Sequence, residues 1–219
     1  MRALVIGSSG GIGAALCAAL AARANVVGLS RRGDGLDVTN EASVAAVMGR
    51  LEGVFDLVIV ATGALEIDGA RPEKTLRALE PGAMAAQFAL NAIGPALILK
   101  HALRRLPKDR VAKLGILSAR VGSIGDNALG GWYSYRAAKA ALNQLVHTAS
   151  IEVARSHPQA VLALLHPGTV ATGLTQAYAG GHAVVTPEVA AGHLLAVLDG
   201  LRPADTGGFF DWKGERIVW

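Results

Sequence analysis

Tyr135-Arg136-Ala137-Ala138-Lys139 puts a phenol and an ammonium at i and i+4, one turn apart on a single helical face. A phenol ordinarily ionises at about pH 10, and a neighbouring positive charge favours the phenolate. Such a pair can give and take the proton of a reacting oxygen near neutral pH. The spacing is common, however, and an ordinary helix can show it by coincidence. A second constellation lies at the N-terminus. Gly7-Ser8-Ser9-Gly10-Gly11-Ile12-Gly13 follows an apolar run and opens a helical stretch. Glycine-rich backbone in that place can approach a pyrophosphate, whose charge then sits at a helix N-terminus. The plainer reading is a tight turn that needs glycine.

The partner of such a turn is expected ~20 residues further on, at the end of the second strand. That point reads Ser30-Arg31-Arg32, and Asp34 falls in the following loop. An acid at the strand end would hold a ribose diol, whereas guanidiniums suit a 2′-phosphate. Either the arginines are solvated loop charges or the cofactor is NADP rather than NAD. The chemistry favours NADP. Asn91 stands four residues before Pro95 in a helical stretch. Proline has no N–H, so a continuing helix would leave the Asn91 carbonyl free to hold a water leading to Lys139. Alternatively, Gly94-Pro95 only kinks a buried helix.

The elements that must position these groups are legible as apolar runs. Residues 2–6, 25–30, 55–61, 113–117 and 161–165 have strand length, and 12–23, 39–51, 83–105 and 133–156 read as helices. Strands alternating with helices imply right-handed crossovers and a parallel sheet, and near-continuous apolarity implies helices on both faces. The expected fold is α/β, a Rossmann-type doubly wound parallel sheet of about seven strands in one domain, residues 1–219. Only residues 31–35 separate the second strand from Leu36-Asp37-Val38, whereas a parallel crossover needs about a dozen. The sheet is therefore expected to be trimmed near its third strand.

Composition narrows the function classes. Of 219 residues 52% are hydrophobic and 17% charged, which excludes a disordered tail or a coiled coil. One cysteine cannot form an internal disulfide. The net charge of +4 is scattered, and the 5% of aromatic residues do not interleave with basic ones. No nucleic-acid partner is expected. No run reaches ~18 consecutive apolar residues, so no membrane partner is expected, and a cytoplasmic chain is. The six histidines lack metal-ligand spacing, and no metal is expected.

Together, Gly7-x-x-x-Gly11-x-Gly13, Tyr135-x-x-x-Lys139 and Pro167-Gly168-x-x-x-Thr172 resemble the short-chain dehydrogenase/reductase family over essentially the whole chain. Residues 122–127 and 130–136 resemble its C-factor and sniffer-like carbonyl reductase branch, as does the Gly207-Gly208-Phe209-Phe210-Asp211-Trp212 ending. The resemblance implies Tyr135 as catalytic acid/base, Lys139 as the group that binds the nicotinamide ribose, and Asn91 as a structural member of the relay. Ser9, Gly10, Ile12 and the other turn residues would hold the pyrophosphate. Asp37 would contact adenine, with Val38 beside it. Ala61-Thr62-Gly63 stands where the family has Asn-Ala-Gly. Pro167, Gly168, Thr169, Val170 and Thr172 would touch the nicotinamide half, and residues 173–185 would close over substrate. Leu174, Tyr178, Ala179, Val184 and Val185 suggest an apolar site. The family's serine slot falls on Ala119, with Ser118 one place early; Ser118 is taken as the carbonyl-polarising group and Ser123 as its competitor. The implied activity is NADP-dependent hydride transfer to or from a small, mostly apolar carbonyl or alcohol, by a homodimer or homotetramer using helices 83–105 and 133–156. The competing class is a dinucleotide-binding signalling or regulatory protein with little turnover.

Overall fold

A computed structural model describes residues 1–173, 178 and 184–219. β1 (Arg2–Ile6) leads through the glycine turn into α1 (Gly11–Ala21), then β2 (Asn25–Leu29), a single-turn α2 (Arg31–Asp34), α3 (Glu41–Gly49) and β3 (Leu57–Val60). After a long excursion come α4 (Pro81–Phe88), a π-type turn at Ala89–Ile93, α5 (Gly94–Ala102) and β4 (Ala112–Leu117). α6 (Tyr133–Val153), β5 (Ala160–His166), α7 (Pro187–Gly200) and β6 (Gly208–Asp211) complete the order.

The six strands are all parallel, in the order β2-β1-β3-β4-β5-β6. About seven strands were expected. The strand expected last, 208–212, is the sixth, because Leu36–Val38 forms no strand and β2 is left as the edge. The six residues between β2 and Leu36, 30–35, close into α2, capped by Gly35 in the left-handed region at φ +70°. That is too short for a crossover.

Period-two alternation divides the strands between two cores. Leu4, Ile6, Val58, Val60, Leu114, Ile116, Leu162 and Leu164 face the layer of α3, α5 and α6. Ala3, Val5, Leu57, Ile59, Val161, Ala163 and Leu165 face α1 and α7. Every residue of β1 after Arg2 is buried, so the strands read as unbroken apolar runs. One stretch among the described residues, Pro81–Arg105, is apolar and long enough to cross a membrane by length and composition. In the fold it packs against α3 and α6, buries Gln87 and Asn91, and is interrupted by the π-type turn.

Candidate active site

The glycine turn and the end of β2 are built as one unit. Gly7 and Ser8 both donate to Leu29 O, at 2.8 and 3.1 Å, and Gly10 donates to Gly7 O at 3.0 Å. A β-carbon on Gly13 would fall 2.1 Å from Gly7 O, and one on Gly7, 2.8 Å from Ala61 O. No side chain fits there. Ser9, Gly10 and Gly11 are exposed at the start of α1, which has no side-chain cap. Ile12 is half-buried against the α1/α7 core. Thr172 closes the turn from the other side, since a β-carbon on Gly11 would meet its methyl at 2.9 Å. Thr62 Oγ1 is buried without a protein partner beside Gly7. An open helix N-terminus, backbone with no room for side chains and an orphaned hydroxyl suit a pyrophosphate and its ribose.

Beyond β2, Ser30 Oγ accepts from Gly33 N at 3.0 Å and caps α2. Arg31 and Arg32 project from this single turn into solvent. The sequence places Asp34 in the loop, but α2 folds its carboxylate back onto the strand end, where Oδ2 accepts from Ser30 N at 2.7 Å. Asp37 Oδ1 accepts from the hydroxyl of Thr39 at 2.7 Å and its N–H at 2.9 Å. These bonds hold its carboxyl below the usual range, the Thr39 hydroxyl contributing most. Val38 does not offer its side chain: it is buried in the core, so close to α5 that a β-carbon on Gly94 would meet it at 2.9 Å.

Four segments distant in sequence meet at the other end of the site. Tyr135 and Lys139 lie on the first turns of α6 and are 7% and 3% exposed, so neither is a solvated surface group. Lys139 Nζ donates to Leu117 O at 3.1 Å and lies 5.8 Å from the centre of the Tyr135 ring. Spacing alone predicts a phenol pulled down by the Lys139 charge. In the fold burial outweighs that charge, pushing Tyr135 up to about 12 and Lys139 down to about 8. Tyr135 is therefore protonated at neutral pH, and Lys139 is mostly charged.

Gly63, at the end of β3, reaches the same point. A β-carbon there would lie 2.8 Å from Asn91 Oδ1 and 3.5 Å from Lys139 Nζ. Asn91 is fully buried, accepts from Ala64 N at 3.2 Å, and donates to Ala64 O at 2.8 Å and Gln87 Oε1 at 2.7 Å. Its side chain thus pins the segment after β3. Pro95 coincides with a widened backbone turn, in which Gly94 donates to Ala89 O five residues back.

The serines are placed differently. Residues 114 and 116 face the α6 layer, and the same alternation puts Ser118 beneath α6. Its hydroxyl donates to Asn143 Oδ1 at 2.7 Å with both groups buried. Ser123 Oγ accepts from Asp126 N at 3.0 Å and holds a loop turn. Pro167, Gly168 and Thr169 follow β5 at the same sheet end. Gly168, at φ +79°, packs on the Trp212 ring, where a β-carbon would lie 3.1 Å from Cδ1. Bonds from Ala171 N to Val185 O and from Val185 N to Thr169 O draw the two ends of the following segment together beside Val170. Most of the expected substrate loop, including Leu174 and Ala179, lies outside the described residues. Tyr178 bonds Glu66 and meets Trp132 edge-on at 5.5 Å, and Trp132 meets Tyr135 at 6.3 Å. Trp132 and Glu73, which holds the first turn of α6, are additions to the sequence reading. A helix cap is normally sought beside its helix, and Glu73 lies 61 residues from Ser134. Among the described residues no His, Cys, Asp or Glu cluster is placed to hold a metal.

A glycine turn with no room for side chains and a buried Tyr-Lys pair at one end of a parallel sheet define a dinucleotide-binding α/β protein. The family model described as "Enoyl-(Acyl carrier protein) reductase" matches residues 13–197. The 1-hydroxy-2-glutathionyl-2-methyl-3-butene dehydrogenase of Rhodococcus sp. (strain AD45) is 37% identical over 188 residues, 84% of this chain and 79% of that protein. The C-signal of Myxococcus xanthus is 35% identical over 137 residues, 62% of this chain and 78% of that protein. The NADPH-bound carbonyl reductase from chicken fatty liver superposes with a TM-score of 0.83 at 24% identity, covering 100% of this chain and 98% of its own. The chain belongs to the short-chain dehydrogenase/reductase family of NAD(P)-dependent oxidoreductases.

Proposed function

We propose that the chain is an NADP-dependent oxidoreductase acting on a small, mostly apolar carbonyl or alcohol, with Tyr135 as its acid/base. The observation that carries the reading is the buried Tyr135–Lys139 pair, held against Leu117 O and Gly63 where four segments converge. The residues around the glycine turn would hold the pyrophosphate, and Arg31 and Arg32 would meet a 2′-phosphate. The chicken protein of the same fold binds NADPH, which supports that choice. When bound, the nicotinamide supplies or takes up hydride. In reduction, Tyr135 gives its proton to the carbonyl oxygen, and the charge of Lys139 steadies the phenolate left behind. Asn91 keeps the strand-end segment beside Lys139 in place. With Ser118 bonded to Asn143, carbonyl polarisation rests on Tyr135. The Trp132 ring, edge-on to Tyr135 and itself met edge-on by Tyr178, fits an apolar substrate.

Ala119 in the family's serine slot favours a second reading, a signalling or regulatory protein that binds dinucleotide with little turnover. NADPH oxidation against a panel of aldehydes and ketones decides between them. Saturable turnover supports the enzyme; NADPH binding with no turnover on any member supports the regulator. We further propose a cytoplasmic homodimer or homotetramer joined through the helical stretches 83–105 and 133–156, the second of which exposes Leu145 and Ile151 on α6. Sedimentation velocity checks the assembly, and a monomer would refute it.

A further inference from the structure

α6 begins without a cap of its own. Its N-cap position is Trp132, whose side chain makes no capping bond and whose backbone sits at φ +52°, after Gly130 and Gly131 at φ +65° and +67°. A bulky residue in the left-handed region is strained and persists only where its surroundings hold it. What holds it is Glu73, from the excursion between β3 and α4. The Glu73 carbonyl accepts from Trp132 N at 2.5 Å. Its carboxylate accepts from Ser134 N at 3.2 Å through Oε2 and from the Ser134 hydroxyl through Oε1. Glu73 and Ser134 are 7% and 2% exposed, and the next residue is Tyr135.

We propose that Glu73 is the positioning residue that sets Tyr135 for proton transfer, by clamping the first turn of α6 from a distant loop. An ionised carboxylate suits this place, because two donors point at it and the helix N-terminus carries partial positive charge. Burial pushes the carboxyl up, but the bonds from Ser134 and from its own backbone outweigh it and keep Glu73 ionised at neutral pH. The clamp also fixes the Trp132 ring, whose edge-on contact with Tyr135 ties the apolar wall to the proton donor. A displacement of about 1 Å at a reacting group can cost on the order of 100-fold in rate, so a cap this near the phenol reaches the chemistry.

The inference rests on Tyr135 as the acid/base, and the test separates the two. Turnover is measured for wild type, Glu73→Ala, Glu73→Gln, Ser134→Ala and Tyr135→Phe, and for Glu73→Ala combined with Tyr135→Phe. Glu73→Ala should lower kcat about tenfold or more while the KM for NADPH moves less than about twofold. Glu73→Gln, which keeps an acceptor oxygen, should recover most of the loss, and Ser134→Ala should show a smaller one. In the Tyr135→Phe background, Glu73→Ala should cost almost nothing further, because the group it positions is gone. An equal cost in both backgrounds, or wild-type kcat in Glu73→Ala, overturns the positioning role. Wild-type kcat in Tyr135→Phe overturns the acid/base reading itself, and the positioning role with it. Hydrogen exchange at the Ser134 amide, read without cofactor, should quicken about tenfold in Glu73→Ala and return in Glu73→Gln; an unchanged rate refutes the clamp even if Glu73→Ala is too unstable to assay.

Discussion

The glycine turn with the β2 end and the Tyr135 corner are built in opposite ways. The first is largely local: Gly10 bonds Gly7 O within the turn and residues 30–35 close one helical turn on Ser30, while Leu29 O ties the two stretches together. The groups it presents are backbone N–H groups and exposed arginines. The second draws on Gly63 and Glu73 after β3, Asn91 within the π-type turn, Leu117 of β4 and the start of α6. Its working groups are buried and their proton affinities shifted. A binding turn can be made from one stretch of chain. A proton donor surrounded on all sides needs several.

The contrast predicts effects of different kind and size. At the buried corner, Tyr135→Phe should lower kcat by ~10²–10⁴-fold with NADPH affinity nearly intact, measured by steady-state kinetics and fluorescence titration. A large loss of NADPH affinity instead would join the two regions into one. At the local end, Arg31→Ala and Arg32→Ala should each weaken NADPH about tenfold, leave NADH unchanged, and leave kcat at saturating NADPH untouched. Equal wild-type affinities for the two cofactors would remove the 2′-phosphate assignment.

Near and above neutral pH the response expected of the site comes from the buried corner. Lys139 is charged below about pH 8 and neutral above it, so carbonyl reduction should fall as pH rises through about 8, and Lys139→Ala should flatten that limb. Stability has the opposite sign there. Between about 8 and the ordinary 10.5 the unfolded chain binds the extra proton, so this group makes the fold more stable as pH rises. The smallest effect on rate is expected from Ser118→Ala. That variant leaves the buried Asn143 Oδ1 without its donor, which costs about 1–3 kcal/mol of stability by chemical denaturation, with kcat within about threefold of wild type. A tenfold loss of kcat would return Ser118 to the substrate carbonyl.

Much of the fold was legible because it is written in runs. β1 and β5 read as apolar segments because each face of the sheet meets a helix layer, and a trimmed sheet edge near 36–38 follows from a count of linking residues. Asp34 was misplaced for a local reason: one turn of helix reverses the chain, and a carboxylate four residues on returns to the strand end. Val38 looked available beside Asp37, yet Gly94 on α5 leaves room for it in the core. Glu73 left no trace in the pattern, since a charged residue in a polar loop looks alike whether it is solvated or bonded.

By itself the sequence determined the parallel α/β order, the glycine turn, the arginines after β2 and the one-turn spacing of Tyr135 and Lys139. These depend on neighbours within a few residues, where backbone geometry leaves few choices. Only the tertiary structure decided that the phenol stays protonated at neutral pH, that Ser118 bonds Asn143, and that α6 is capped from another loop. Each follows from burial and from contacts across 25 or more residues, and the energy of a charge or a hydrogen bond depends on what surrounds it after the chain has closed.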